Sequence, residues 1–230
     1  MLCNRLSPLK LLAVFLAACM LAMNAGAEQS GHEHPGNDQH ASSSDDDPHA
    51  HHKAMLNKKA EPAKPTKVDL LDLTLVNQHG KEVKFVSDVI GDNIVVMDFV
   101  YTSCTTVCPV LSAVFGQVQN KLGDQLGKDV TLVSVSVDPV RDTPQRLKAY
   151  AAKHDAEPGW IWLTGPKTTM DEVLDGLGAY SPNFEDHPAM VLVGDGRTGE
   201  WSRFFGFPSP SRLVEQVNTL QAARAVAAGS

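Results

Sequence analysis

The stretch from Ile94 to Pro109 constrains this chain most. Ile94-Val95-Val96-Met97-Asp98-Phe99-Val100-Tyr101 is an apolar, β-branched run of the length and composition of a buried strand. A short polar turn then leads to Cys104 and Cys108. Pro109 in a first turn, with Val110, Leu111, Val114, Phe115, Val118 and Leu122 at helical spacing, predicts a helix directly after the cysteines. Four residues make about one helical turn, roughly 5.4 Å of rise, so both sulfurs can share one face. At a helix N-terminus the unpaired N–H groups and the dipole favour thiolate, which is both the nucleophile and the metal ligand. Two roles stay open for the pair. Two soft thiolates select Cu(I) over hard cations, and one turn of helix puts the Cα atoms near the separation that a disulfide requires.

A strand ending in two cysteines at a helix N-terminus is a thioredoxin-like arrangement. Thioredoxins place two residues between the cysteines; this chain places three. Phe99-Val100-Tyr101-Thr102-Ser103-Cys104, with Cys108-Pro109, closely resembles the Sco/SenC family of copper-binding assembly proteins. Ser136-Val137-Asp138-Pro139-Val140-Arg141-Asp142-Thr143-Pro144 is similar to that family's second signature, and Asp186-His187 to the position of its metal-binding histidine. The resemblance runs from about Val68 to Leu220. It implies a thioredoxin-like α/β fold and a copper site, for Cu(I) or Cu(II), made by Cys104, Cys108 and His187. The implied function is delivery of copper to, or maturation of, the copper centre of a respiratory oxidase such as cytochrome c oxidase. The alternative is a thiol–disulfide reductase, with Cys104 and Cys108 as its redox pair, that keeps the target's metal-binding cysteines reduced. Implied partners are a copper-containing oxidase subunit, other periplasmic copper carriers and thiol reductants. A peroxidase-like relative is unsupported, because Tyr101 stands where that chemistry places a threonine. Two departures matter. Thr105-Thr106-Val107 replaces the Pro-Asp or similar pair that many members carry between the cysteines, and Pro188 replaces the usual serine or threonine after the histidine.

The beginning of the chain predicts export. Arg5 and Lys10 precede an apolar run from Leu11 to Met23, and Ala25-Gly26-Ala27 fits a small-residue cleavage site, so residues 1–27 read as a signal peptide. Leu16-Ala17-Ala18-Cys19 also fits a lipid-attachment pattern, though apolar residues continue past Cys19; a retained or lipidated anchor is the rival. Either way the functional domain belongs in the periplasm or on the outer face of the cytoplasmic membrane. Losing Arg5 and Lys10 takes the formal net charge from −7 to −9, which disfavours nucleic acid and anionic membranes as partners. Cleavage also removes Cys3 and Cys19, so only Cys104 and Cys108 remain. An idle neighbouring pair is unexpected in an oxidising compartment.

Residues 28–67 read as a linker. Ser42-Ser43-Ser44-Asp45-Asp46-Asp47 has nothing apolar to bury, and Pro62 and Pro65 interrupt the residues behind it, which predicts disorder. Six of the nine histidines fall here: His32, His34, His40, His49, His51 and His52. They make either a soluble tether or a weak trap for copper or zinc, since imidazole suits both.

Residues 68–230 read as one folded domain, a normal size for a single core. A hairpin turning at Asn77-Gln78-His79-Gly80 precedes the cysteine strand, and Val130 to Val137 is a further strand. Thr143-Pro144 starts a helix through about His154, with Thr143 as N-cap. Trp160 to Leu163 is a short strand, and Thr169-Met170-Asp171-Glu172 is a capping box before another helix. An inserted hairpin near the C-terminus (Ala189–Val193 and Glu200–Gly206) leads to a final helix opened by Ser209-Pro210. Asp138 and Asp142 are expected to shape a loop near the site, as turn and cap residues.

Overall fold

The structure, a computed structural model, describes residues 63–229. The expected signal peptide and most of the histidine-rich linker lie outside the described residues. Eight strands form one sheet: β1 Lys64–Thr66, β2 Thr74–Asn77, β3 Glu82–Lys84, β4 Ile94–Val100, β5 Val130–Ser136, β6 Trp160–Thr164, β7 Met190–Asp195 and β8 Trp201–Phe205. Their order across the sheet is β1-β8-β7-β4-β5-β6-β2-β3. Four α-helices cover it: α1 Val107–Leu122, α2 Pro144–Lys153, α3 Lys167–Gly176 and α4 Pro210–Ala228.

The topology follows from the chemistry of β4. All seven of its residues are buried, as a central strand covered on both faces requires. Alternation sends Ile94, Val96 and Val100 into one core with Leu111, Phe115, Leu147, Leu213 and Val217, from α1, α2 and α4. Val95, Met97 and Phe99 enter a second core with Met170, Val173 and Leu174 of α3 and Leu75 of the front hairpin. β4, β5 and β6 run parallel and are linked through α1 and α2 on one face. The chain then crosses under the sheet through α3, and β7 pairs antiparallel with the other edge of β4. That crossing brings the segment before β7 to the sheet end where β4 stops.

Most expected elements are present with shifted ends. Thr143 and Ser209 are N-caps, their side chains accepting from the Arg146 and Arg212 amides, with Pro144 and Pro210 next in line. Two expectations are corrected. The linker does not extend to Lys67, because Lys64–Thr66 adds an eighth strand beside β8. The capping box at Thr169 is absent: α3 begins at Lys167, with Pro166 at the N-cap position and no side-chain cap bond. The fixed φ of Pro166 sets the entry, and Thr169 lies inside the helix. β7 also runs through Gly194, where a Cβ would sit 2.1 Å from the Trp201 ring. Only glycine lets that indole lie flat on the strand.

Candidate metal and thiol site

β4 aims the site. It ends at Val100, and Tyr101, Thr102 and Ser103 make the turn that places Cys104 in front of α1, with Cys108 in the helix's first turn. Thr106, the N-cap residue, makes no side-chain cap bond. Cys104 takes over that role: the Cys108 amide donates to its Sγ at 3.4 Å, and Thr106 Oγ1 lies 3.9 Å away. Both cysteines are free and buried, with Cys104 7% exposed and Cys108 fully covered.

The two sulfurs are electrostatically unequal. A hydrogen bond from the Cys108 thiol, joined by the helix amides and the Tyr101 hydroxyl, holds Cys104 far below the usual thiol range. The same hydrogen bond, together with burial, pushes Cys108 up. The pair therefore keeps one proton, on Cys108, and presents Cys104 as the thiolate. Asp98 adds to the difference. It lies on the α1 face of β4, fully buried, and its field further opposes ionisation of Cys108. Asp98 Oδ1 accepts from Ser134 Oγ at 2.6 Å, that hydroxyl accepts from Trp160 Nε1 at 2.9 Å, and Asp98 Oδ2 has no hydrogen-bond partner among the described residues. Burial pushes the Asp98 carboxyl up to about 7.

His187 arrives from the other side. The turn Phe184–Asp186 is held by Asn183, whose side chain accepts from the Glu185 amide and donates to Asp186 Oδ2 at 2.9 Å. The His187 ring stands edge-on to Tyr101, with centroids 5.8 Å apart, and Phe184 packs on the same ring at 5.1 Å. Nδ1 of His187 lies 2.7 Å from the Phe184 carbonyl oxygen. A carbonyl only accepts, so in the neutral ring Nδ1 carries the proton and Nε2 has the lone pair. That is the tautomer a metal needs, fixed in advance by the backbone.

The loop after β5 braces both halves. Asp142, 1% exposed, accepts from the Thr102 amide (3.1 and 3.3 Å), the Thr102 hydroxyl (2.6 Å) and the Ser136 hydroxyl (2.7 Å). Burial raises its carboxyl despite these bonds. Arg141 pairs with Asp138 at 3.1 Å and lies over the Phe184 ring at 5.4 Å. One loop thus holds the turn before Cys104 and the turn before His187.

Cys104 and Cys108 are in contact, and both the Cys104 sulfur and the His187 ring adjoin Tyr101. Among the described residues, no three His, Cys, Asp or Glu side chains are gathered closely enough to hold a metal ion. Two sulfurs and an imidazole nitrogen on adjoining elements are the donor types that suit a soft metal such as copper. Of the residues that shape this geometry, Tyr101, Asp98 and Phe184 were not among the site residues expected from the sequence. Asp98 had a signal available: a carboxylate inside an otherwise apolar strand.

The SCO1/SenC family model matches residues 63–218, well over half of the chain. This chain belongs to that family. The SCO1 protein homolog of Bacillus subtilis is 35% identical over 102 residues, covering 44% of this chain and 51% of its own length, so the match spans about half of that relative. Among solved structures, BsSco, a member of the Sco family of cytochrome c oxidase assembly proteins in which a disulfide switch is identified, is 26% identical. It covers 70% of this chain and 96% of its own, with a TM-score of 0.58. Bradyrhizobium japonicum ScoI, solved with copper bound, is also 26% identical, covers 69% and 99%, and has a TM-score of 0.54. The thioredoxin-like α/β architecture is therefore the family's, with the front hairpin β2–β3 and the β7–β8 hairpin as the sequence predicts.

Proposed function

We propose that this chain is an exported copper-binding assembly factor that carries copper as cargo to the copper centre of a respiratory oxidase such as cytochrome c oxidase. Cys104, Cys108 and His187 are the ligands. The observation that carries this is the preset donor set: a thiolate and its thiol partner one turn apart at the start of α1, and on an adjoining element an imidazole whose lone pair is already on Nε2. Binding requires Cys108 to release its proton and the turn before His187 to bring the imidazole to the two sulfurs. The copper-bound ScoI relative and the oxidase-assembly description of BsSco support the cargo and the recipient. The leader-like pattern of residues 1–27 supports a periplasmic or outer-face location.

A second function is favoured by the unequal sulfurs. Cys104 thiolate attacking a target disulfide, followed by Cys108 resolving the mixed disulfide, would leave the target dithiol reduced and a Cys104–Cys108 disulfide here. A thiol reductant must then restore the pair. The two roles separate at His187, which exchange does not need.

The test is titration of the reduced protein with Cu(I) and Cu(II), alongside Cys104→Ala, Cys108→Ala and His187→Ala. One tightly held copper per chain, lost or much weakened in all three variants, is expected. No retained copper, with thiol exchange intact in His187→Ala, would leave only the reductase.

A further inference from the structure

The histidine turn is tied mostly to itself. Among the described residues, every hydrogen bond of residues 183–187 stays inside the turn. The Asn183 side chain serves Glu185 and Asp186, the Asp186 amide donates to the Asn183 carbonyl, and the His187 amide and ring both meet the Phe184 carbonyl. A cleft of about 240 Å³ opens between Lys167, Asp171 and Leu174 of α3 and Tyr180, Phe184 and His187 of the histidine loop. What fastens the turn is Phe184, which packs against the core that includes Met170 and Leu174. Its ring meets Tyr101 edge-on at 5.1 Å, and the Arg141 guanidinium lies over it at 5.4 Å.

Arg141 is the fixed side of that contact. Its Nη1 donates to Oδ2 of the buried Asp138 at 3.1 Å, and its amide donates to the Asp138 carbonyl at 3.1 Å. Its own carbonyl accepts from the Thr143 amide at 3.0 Å and from Arg146 Nη1 at 3.2 Å, where α2 begins. The cation therefore belongs to the loop after β5, and the ring beneath it belongs to the turn. The Phe184 carbonyl in turn holds His187 Nδ1 at 2.7 Å, so the imidazole goes where Phe184 goes.

We propose that Arg141 is a positioning residue of the metal site, holding the Phe184 ring so that His187 stays beside Tyr101. The inference rests on the copper site proposed above. A turn free of this clamp loses more conformational freedom when its histidine takes a ligand position, and that ordering cost is subtracted from affinity. A half-exposed cation over an aromatic ring biases an equilibrium by roughly two- to fivefold, which sets the size of the effect.

The test is a double-mutant cycle in the full, reduced chain with Arg141→Met, Phe184→Leu and both together. Losing Arg141 also strips Asp138 of its partner, but that loss occurs in both backgrounds and cancels in the cycle. Arg141→Lys, which keeps a cation, is the conservative control. In the metal-free protein, hydrogen exchange of the Glu185, Asp186 and His187 amides should speed up roughly two- to fivefold in either single variant. It should go no faster in the double variant and change little in Arg141→Lys. The nuclear Overhauser contact between the Tyr101 and His187 rings should weaken in the same variants. Cu(II) retention against a competing chelator should fall by a similar factor, with weaker imidazole-nitrogen hyperfine structure in the electron paramagnetic resonance spectrum. Additive effects in the cycle would mean that Arg141 does not act through Phe184, and would overturn the proposal. Exchange and ring contact unmoved in Arg141→Met overturn it as well and leave the copper site standing. A wild-type chain that retains no copper, while the metal-free cycle still shows coupling, overturns the copper site and with it the role given to Arg141.

Discussion

Asp195 and Asp98 sit on neighbouring strands, both hidden from water, and the fold treats them oppositely. Asp195, 1% exposed at the end of β7, receives a two-pronged bond from Arg224 of α4, Nε to Oδ2 and Nη2 to Oδ1, each 2.6 Å. Burial works against its charge, but Arg224 and the Arg197 and Thr198 amides overcome it and hold the carboxyl below its usual range. Asp98, nearer the cysteines, has a hydroxyl for a partner and no cation, and its carboxyl rises. One end of the sheet is closed by a satisfied ion pair. The other holds a poorly satisfied carboxyl group, a thiol that keeps its proton and a thiolate. Stability and reactivity are thus set at opposite ends of β4, and the difference can be broken from either side.

The largest effect should come from the satisfied end. Arg224→Met leaves Asp195 buried and unpaired, and the loss of a buried partner costs about 3–5 kcal/mol. Urea unfolding at neutral pH should show it. Because the pairing depresses the folded-state value of Asp195, the stability it confers is present above the ordinary Asp range and fades as pH falls. Wild type and variant should therefore converge in acid. An unchanged midpoint at neutral pH would mean that α4 is not anchored by this pair.

Asp98→Asn should do the reverse. The folded chain keeps a proton on Asp98 up to about pH 7, whereas the unfolded chain releases it near 3.8. Wild-type stability therefore falls as pH rises through that window, by up to about 4 kcal/mol. The amide removes the titration, so the variant should match wild type near pH 4 and exceed it above pH 7. A variant less stable at both ends of the window would show that the Ser134–Trp160 chain needs the carboxylate.

How much of this was legible beforehand depends on the kind of interaction. β4 and α1 were legible because burial on two faces and a 3.6-residue period leave direct marks in the order of residues, and Thr143-Pro144 and Ser209-Pro210 because caps are local. The cysteines and His187 stood out through residue type and resemblance. β1 was missed because a three-residue strand whose stability comes from β8, more than a hundred residues away, has no pattern of its own. Thr169 misled because a capping pattern says nothing about a proline three residues earlier. The bracing of Thr102 by Asp142 spans 40 residues of sequence and is visible only once β4 and β5 lie side by side.

That brace supplies the third test. Asp142→Asn turns one of its oxygens into an NH2 group among the Thr102 and Ser136 donors, losing hydrogen bonds worth about 1–3 kcal/mol. Part of the loss should appear as a looser cysteine turn. Hydrogen exchange at the Thr102 amide and iodoacetamide alkylation of Cys104 should both speed up, while α4 stays protected. Unaltered exchange at Thr102 would make Asp142 a residue of its own loop only.

The smallest effect concerns Tyr101, whose hydroxyl supports the Cys104 thiolate while its ring meets His187 edge-on. Tyr101→Phe keeps the ring and removes the donor. A hydrogen bond to a charged group is worth about 1.5–3 kcal/mol when buried, so the pH at which half of Cys104 reacts with iodoacetamide should rise by about one to two units. Folding stability should barely move, since the ring packing on Phe184 survives. Cu(I) binding should hold or strengthen, because the hydroxyl no longer competes with metal for the sulfur's lone pairs. The two readouts moving oppositely, a less acidic Cys104 with undiminished copper affinity, would identify Tyr101 as the residue that keeps the thiolate ready in the absence of metal. A fall in copper affinity would instead make the hydroxyl part of the metal site, and the division between the two ends of β4 would then include a third ring at the reactive one.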